Sequence, residues 1–161
     1  MSRENHQVLV DRLGEEVRAH QVAVDALDEA AAAYLGVNRT DLRCLDVLFQ
    51  LGEAAPSELG ARLGLTTGSV TALLDRLEKL GYLSRSPDPA DRRKVVVRPT
   101  PAAGQAAGDL YGPLAQAGAA DVARYTAAEL ELLIDFLSRS RALQEEHVAR
   151  IRQMRPAGPR R

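Results

Sequence analysis

Hydrophobic residues recur at helical spacing near both ends of the chain. Residues 4–35 carry a heptad-like apolar stripe that predicts one long helix, ended by Gly36. Thr126 and Glu129 have the spacing of a capping box and predict the start of a final helix. The stripe of that helix consists of Leu130, Leu133, Ile134, Leu137, Val148 and Ile151. A central module of about 60 residues cannot cover both stripes, so we expect them to be buried in a homodimer.

The middle of the chain predicts three shorter helices separated by glycines. Thr40 is expected to cap a helix over residues 41–51, Pro56 to begin a second helix, and Thr66 to cap a third over 67–80. The third helix has apolar residues at i, i+3, i+4 and i+7, which indicates a single buried face. The second and third helices are joined by a tight turn. This arrangement is typical of a helix-turn-helix.

Two β-prone runs follow the third helix, at residues 82–86 and 94–98. The segment between them, 87–93, is too long for a two-residue turn and too charged to be buried. It predicts an extended hairpin with its tip in solvent, which is a wing. Thr100 then begins a helix in which Pro113 is expected to produce a bend.

Composition and motifs narrow the class of protein. The chain has 161 residues, of which 45% are hydrophobic, but no apolar run long enough for a membrane helix and no apolar N-terminal signal stretch. A soluble cytoplasmic protein without a membrane partner is therefore expected. The three histidines lack metal-ligand spacing, and we find no nucleotide-binding or nucleophile motif. The sequence predicts neither an enzyme nor a bound cofactor.

Cys44 is the only cysteine, which excludes an intrachain disulfide and a thiolate metal cluster. It lies between Leu42 and Leu45 in an apolar helix, so we expect a buried structural residue. A reactive thiol needs a polar, partly exposed setting. A redox-sensing regulator is the alternative that this residue leaves open.

The charge is unevenly distributed along the chain. Residues 57–98 contain eight basic and five acidic residues, a net charge of +3, whereas the remainder contains 13 basic and 17 acidic residues, a net charge of −4. A basic middle in a mildly acidic chain indicates a local surface that binds a polyanion.

The third helix begins with small hydroxylated side chains that suit close approach to duplex DNA. Thr66, Thr67, Ser69 and Thr71 can bond base edges in the major groove or phosphates, and Arg76 lies further along, within reach of phosphates. The plainer interpretation is that Thr66 and Ser69 only cap the helix. The basic hairpin that follows favours DNA binding.

The tip of the wing carries Arg92 and Arg93, which suit the electronegative minor groove, and Asp91 could pair with a neighbouring arginine and hold it extended. A solvated charge run is the plainer interpretation. A winged helix that binds protein instead of DNA is a second alternative function, but it predicts an apolar or acidic recognition face.

The stretch 75–104, DRLEKLGYLSRSPDPADRRKVVVRPTPAAG, resembles the MarR-family signature in its "LE..G", "L.R", "P.D.R" and "T..G" elements. The resemblance covers residues 40–104 and implies a triangular dimer with DNA-binding lobes under a helical dimerisation domain. It also implies the DNA contacts named above, with Arg93 in the minor groove and Asp91 bracing it. Pro99 departs from the family pattern and is expected to end the returning strand early.

The resemblance further implies a repressor that binds a pseudo-palindromic operator and is released by a small aromatic or phenolic effector. His20, Tyr34 and Arg39 are the candidate effector contacts, although His20 and Arg39 suit surface positions and Tyr34 suits packing.

The sequence therefore predicts a mainly α fold with a small β-hairpin wing (α+β), in which both termini supply the helical dimerisation region. The expected segments are a dimerisation helix (1–39), a winged helix-turn-helix (40–100), further dimerisation helices (101–154) and a disordered tail (155–161).

Overall fold

A computed structural model describes residues 3–89 and 91–154, which form six helices and one two-stranded antiparallel sheet. The elements are α1 Arg3–Leu35, α2 Arg39–Leu51, α3 Pro56–Leu63, α4 Thr67–Lys79, β1 Leu83–Pro87, β2 Val95–Pro99, α5 Pro101–Val122 and α6 Ala127–Gln153. The mainly α fold with a small hairpin is confirmed. Contacts divide the described residues into two compact units, one up to Gly112 and one from Pro113. The predicted tail, 155–161, lies outside the described residues.

The start of α2 differs from the prediction. Asn38, not Thr40, is the N-cap residue: its side-chain oxygen accepts a hydrogen bond from the Asp41 amide at 2.9 Å, and the Asp41 carboxylate accepts one from the Asn38 amide at 3.5 Å. This reciprocal pair satisfies two amides that a helix start leaves without partners. A capping box needs an acidic or amide residue three positions after the cap, and Arg43 occupies that position for Thr40. Thr40 instead lies inside α2.

The helix-turn-helix and the hairpin share one hydrophobic core. Its buried residues come from α2, α3, α4, the two strands and the loop between α2 and α3: Cys44, Leu45, Leu48, Ala54, Leu59, Val70, Leu73, Leu74, Leu77, Leu83 and Val97. The turn between α3 and α4 passes through Gly64, whose φ of 68° lies in the left-handed region that favours glycine. A Cβ at Gly60 would lie 3.1 Å from Val70 Cγ2. A small residue at position 60 therefore lets the two helices pack closely.

The hairpin pairs Leu83 with Pro99 at its base and Pro87 with Val95 toward its tip. Pro99 is the last residue of β2, so the returning strand ends at the proline, as predicted, although Pro99 itself still pairs with Leu83. Proline removes one amide donor, but the amide of Thr100 continues the pairing by donating to the Tyr82 carbonyl at 3.1 Å.

The base of the hairpin is also attached to the loop between α2 and α3. Ala54 and Val97 exchange two backbone hydrogen bonds, of 3.1 Å and 2.9 Å, so that Ala54 extends the sheet by one residue. This bridge fixes β2 against the loop at the end of α2.

A second buried cluster joins the end of α1 to α2 and to the first half of α5: Ala31, Ala32, Leu35 and Leu42, with Ala106, Leu110 and Tyr111 packed against them. The Tyr82 hydroxyl donates to the Leu35 carbonyl at 3.2 Å. The hydroxyl of Thr100 accepts from the Ala103 amide at 3.2 Å and so caps α5, as predicted. Helix α5 continues through Pro113, and the bend expected there stays a prediction.

Helix α6 begins with the predicted capping box. The Thr126 amide donates to the Glu129 carboxylate at 2.8 Å, and the Glu129 amide donates to the Thr126 hydroxyl at 3.3 Å. The Thr126 hydroxyl also donates to the Glu129 carboxylate at 2.8 Å, and the bonds that this carboxylate accepts from the Thr126 amide and hydroxyl lower the pKa of Glu129. No residue of α6 is buried. Within 3–89 and 91–154, no helix is both long and apolar enough to cross a membrane.

Candidate nucleic-acid interface

Helix α4 has one buried face and one hydroxylated, exposed face. Val70, Leu73, Leu74 and Leu77 are at most 4% exposed and hold the helix against the core. Because these residues recur at i, i+3, i+4 and i+7, the residues between them turn outward. The outward-facing residues at its N-terminal end are Thr66, Thr67, Gly68, Ser69, Thr71 and Ala72. Four predicted DNA contacts therefore lie together on one accessible surface.

The hydroxyls on this face differ in how far they are already occupied. Thr66 Oγ1 accepts from the Ser69 amide at 3.4 Å and lies 2.9 Å from Ser69 Oγ, so Thr66 caps α4 as predicted. The Thr71 hydroxyl donates to the Thr67 carbonyl at 3.1 Å. Within the described part of the chain, the Thr67 hydroxyl has no hydrogen-bond partner, which leaves it available to a ligand.

Arg76 is bound to a carboxylate of α2. Its Nη2 and Nε atoms donate to the two oxygens of Asp41, at 2.7 Å and 3.2 Å. The Asp41 side chain is 3% exposed and that of Arg76 is 49% exposed. The hydrogen bonds to Asp41 raise the pKa of Arg76. Two of the five N–H donors of the guanidinium are thus engaged, and the two on Nη1 form no hydrogen bond within the described residues, so they can meet a phosphate.

The wing loop is held by hydrogen bonds among its own residues. The Asp88 amide donates to the Lys94 carbonyl at 2.9 Å, and the Lys94 amide donates to the Asp91 carbonyl at 2.8 Å. The Asp91 carboxylate accepts from the backbone amide of Arg93 at 3.1 Å and lies 3.9 Å from Lys94 Nζ. The expectation that Asp91 pairs with an arginine side chain is therefore corrected: it holds the backbone of Arg93.

Two other basic side chains are neutralised within the fold. Arg85 of β1 donates to Asp75 at 2.7 Å and to Glu78 at 3.0 Å, both on α4. The hydrogen bonds to Glu78 and Asp75 raise the pKa of Arg85, and that to Arg85 lowers the pKa of Glu78. Arg98 of β2 is 2.5 Å from Glu53. Ion pairs thus attach β1 to α4 and β2 to the loop between α2 and α3.

Positive charge without a partner is concentrated near the tip of the wing. Of the eight basic residues in 57–98, those with no ion pair or side-chain hydrogen bond to the described residues are Lys79, Arg92 and Arg93. Arg92 and Arg93 are both exposed. Sequence reasoning identified the net charge but missed the ion pairs that determine which cations are available.

The three candidate effector contacts are not brought into one cavity. His20 is exposed on α1, and the Tyr34 side chain is 73% exposed. Arg39 lies 2.7 Å from Asp25 and 3.6 Å from Asp28, which joins α2 to α1. Their role in effector binding stays a prediction.

A cavity of about 230 Å³ lies instead between the end of α1, α2 and α5. It is lined by Leu35, Leu42, Leu45, Asp46, Phe49, Tyr82, Ala103, Ala106, Ala107 and Tyr111. We call it the α2 cavity. Sequence reasoning missed it, because its walls come from segments that span 76 positions of the chain, from Leu35 to Tyr111.

Cys44 is fully buried, and burial together with the charge of Asp41 raises the pKa of its thiol to about 12. The thiolate is the reactive form, so we expect a thiol reagent at pH 8 to label the native protein at least about 100-fold more slowly than the unfolded chain. Mass spectrometry of time points with and without guanidinium measures both rates on this single cysteine. Rapid labelling of the native protein would contradict the burial and restore the redox alternative.

Comparison with known proteins matches residues 37–95 to the MarR family model. The uncharacterized HTH-type transcriptional regulator YcgE of Bacillus subtilis (strain 168) is 44% identical over 125 residues, which cover 78% of this chain and 81% of YcgE. The chain belongs to the MarR family. It is a DNA-binding transcriptional regulator of the winged-helix type, which confirms the resemblance stated from residues 40–104.

Solved structures agree with this MarR fold. The YusO protein from Bacillus subtilis superposes with a TM-score of 0.60 at 18% identity and covers 88% of this chain and 99% of its own. A mutant MarR from E. coli complexed with operator DNA has a TM-score of 0.52 at 23% identity and covers 87% of this chain and 99% of its own. At these identities the likeness establishes the fold alone.

Proposed function

We propose that this MarR-family protein is a homodimeric repressor that binds a pseudo-palindromic operator and is released by a small effector. The observation that carries the proposal is the exposed hydroxylated face of α4, followed by a wing whose tip arginine side chains have no partner within the described residues. The similar fold of a MarR protein complexed with operator DNA supports this mode of binding.

In the proposed complex, the N-terminal end of α4 enters the major groove. Thr67 and Ser69 offer hydroxyls to base edges, and Thr66 and Thr71 are small enough to let the helix approach closely. The helix N-terminus also favours a phosphate. Arg76 contacts a phosphate through Nη1 while Asp41 fixes the rest of its guanidinium.

In the same complex, the wing inserts into the adjacent minor groove. Arg93 is the principal contact and Arg92 the secondary one, since a narrow minor groove attracts arginine. Asp91 contributes by accepting a hydrogen bond from the Arg93 amide, which holds the loop that carries the arginine. Contacts from α4 and the wing then read one half-site together.

A second copy of the chain would cover the exposed apolar residues of the terminal helices. Those of α1 are Val8, Leu9, Val10, Leu13, Val17, Val22 and Leu27, and those of α6 are Leu132, Leu133, Ile134, Leu137, Leu143, Val148 and Ile151. Each of the two helices therefore exposes several large apolar side chains, which is typical of a surface that a partner covers. Two lobes in a symmetric dimer would address half-sites ~34 Å apart.

The α2 cavity is the place where an effector would act on the lobe. It adjoins the end of α1 and the first half of α5 on one side and α2 of the winged helix on the other. A ligand that favours one spacing of the two lobes shifts the population of the dimer toward that spacing. The proposal that the protein represses transcription, and does not activate it, rests on the family resemblance.

Neither alternative function has comparable support. Redox sensing needs a thiolate that a reagent can reach, and Cys44 is fully buried with a raised pKa. A protein-binding winged helix needs an apolar or acidic face, whereas the face of α4 carries hydroxyls. The relative YcgE is named as a transcriptional regulator, which supports a non-enzymatic role.

We expect the purified protein to bind labelled duplex from upstream of its own gene with a stoichiometry of two protomers per site. Fluorescence polarisation at physiological salt with non-specific competitor measures the affinity, and sedimentation equilibrium gives the oligomeric state. A duplex with the same composition in scrambled order is the control. Binding that competitor abolishes would point to an operator elsewhere, to be sought by selection from random duplexes. Failure of that selection, or a monomer in solution, would contradict the proposal.

A further inference from the structure

We propose that the α2 cavity binds a small aromatic ammonium ion, with the Asp46 carboxylate as its counter-ion. This identifies a ligand class for the effector site, and its regulatory meaning rests on the proposed function. The resemblance to the family implies an aromatic or phenolic effector; the walls of this cavity favour a positively charged one.

The shape of the cavity suits a single aromatic ring. Its volume of about 230 Å³ lies below the roughly 300 Å³ at which drug-sized pockets begin. The walls are mostly aliphatic, and three aromatic side chains contribute to them, Phe49, Tyr82 and Tyr111. The Tyr82 hydroxyl is already bonded to the Leu35 carbonyl, so Tyr82 offers mainly its ring. Such rings attract a cation through their faces.

The charge of the cavity is negative. Asp46 is the charged residue among those that line it, and no described residue donates a hydrogen bond or an ion pair to its carboxylate. Burial and the nearby charge of Asp28 raise the pKa of Asp46. Burial and the charges of Asp46 and Asp28 raise the pKa of Tyr111. Burial is the larger cause of both shifts, and the neighbouring carboxylates add to it, which agrees with a lining that holds an acidic residue and no basic one.

The nearest basic residues do not supply that charge. Asp46 also borders a neighbouring polar cavity that Arg39 and Arg43 help to line. Arg39 is engaged by Asp25 and Asp28, Arg43 forms no ion pair with Asp46, and neither arginine lines the α2 cavity. The Asp46 side chain is exposed at the edge of the α2 cavity, and a carboxylate ligand there would be repelled by it with no basic residue in the lining to offset the repulsion. An ammonium ion would pair with Asp46 and stack on the rings.

The test compares three ligands of nearly equal size by isothermal titration calorimetry on the full chain: 2-phenylethylammonium, 2-phenylethanol and phenylacetate. We expect the ammonium ion to bind at least about fivefold more tightly than the neutral alcohol, and phenylacetate to bind more weakly than either. The Asp46→Asn variant should lose the preference for the cation and keep the affinity for the alcohol. Asp46 has no partner within the described residues, so its replacement should leave the fold intact.

Glu16→Gln is the control, since Glu16 is an exposed carboxylate that does not line the cavity, and it should retain the preference. Equal binding of the three ligands, binding of none, or an unchanged preference in Asp46→Asn would overturn the proposal. Calorimetry needs no DNA, so a failed operator titration would leave this result standing, and the reverse also holds.

Discussion

Replacing Asp41 by alanine is expected to lower the free energy of unfolding by about 2 kcal/mol. The carboxylate accepts two hydrogen bonds from Arg76 and one from the Asn38 amide, so it joins α4 to α2 and completes the cap of α2. The Arg76 side chain is half-exposed, so water can solvate its guanidinium when Asp41 is removed. The loss of stability is therefore smaller than for breaking a fully buried ion pair. Denaturant unfolding followed by circular dichroism measures the change in midpoint at constant slope.

Two further variants separate the cap from the ion pair. Asp41→Asn keeps the shape and an acceptor oxygen but loses the charge, so it should cost about half as much as Asp41→Ala. In a double-mutant cycle, Arg76→Ala should cost little once Asp41 is already alanine. A loss within about 0.5 kcal/mol for Asp41→Ala, as for an ordinary surface position, would refute this account.

Arg93→Ala is expected to weaken operator binding at least tenfold, about 1.4 kcal/mol. The guanidinium of Arg93 is exposed and has no partner within the described residues, so its removal should change the stability of the fold little. The complex with DNA would lose one minor-groove contact. Polarisation titrations at fixed salt compare the variant with the wild type. Arg92→Ala should have a smaller effect.

The matched control removes a positive charge outside the winged helix. Arg139 lies on α6, where it pairs with Asp135 one helical turn earlier. Its replacement by alanine should leave operator affinity within about twofold of wild type, because exposed pairs of this kind contribute little. Unchanged affinity in a folded Arg93→Ala variant would remove the wing from the interface.

The spacing of apolar and polar residues along the chain was enough to predict α4 and the wing. The spacing of Val70, Leu73, Leu74 and Leu77 determines which face of α4 is buried, and with it which hydroxyls are exposed. The start of α2 was missed because two side chains able to cap it lie two positions apart. The reciprocal bond from Asp41 decides in favour of Asn38.

Contacts between distant segments were beyond sequence reasoning. Asp41 and Arg76 are 35 positions apart, and no periodicity connects them. The same holds for the α2 cavity, whose walls include Asp46 of α2 and Tyr111 of α5. The candidate effector residues were chosen by their helices, but which side chains share a cavity depends on how those helices cross.

The bridge between Ala54 and Val97 has a mechanical consequence. It fixes the hairpin to the loop between α2 and α3, while the ion pair of Asp41 with Arg76 fixes α4 to the beginning of α2. Both surfaces proposed to meet DNA are therefore mounted on α2. A small rotation of α2 would turn them together as one rigid body, and the displacement would grow with distance from the pivot. In the proposed complex, the wing tip would consequently move furthest and leave the minor groove before α4 leaves the major groove.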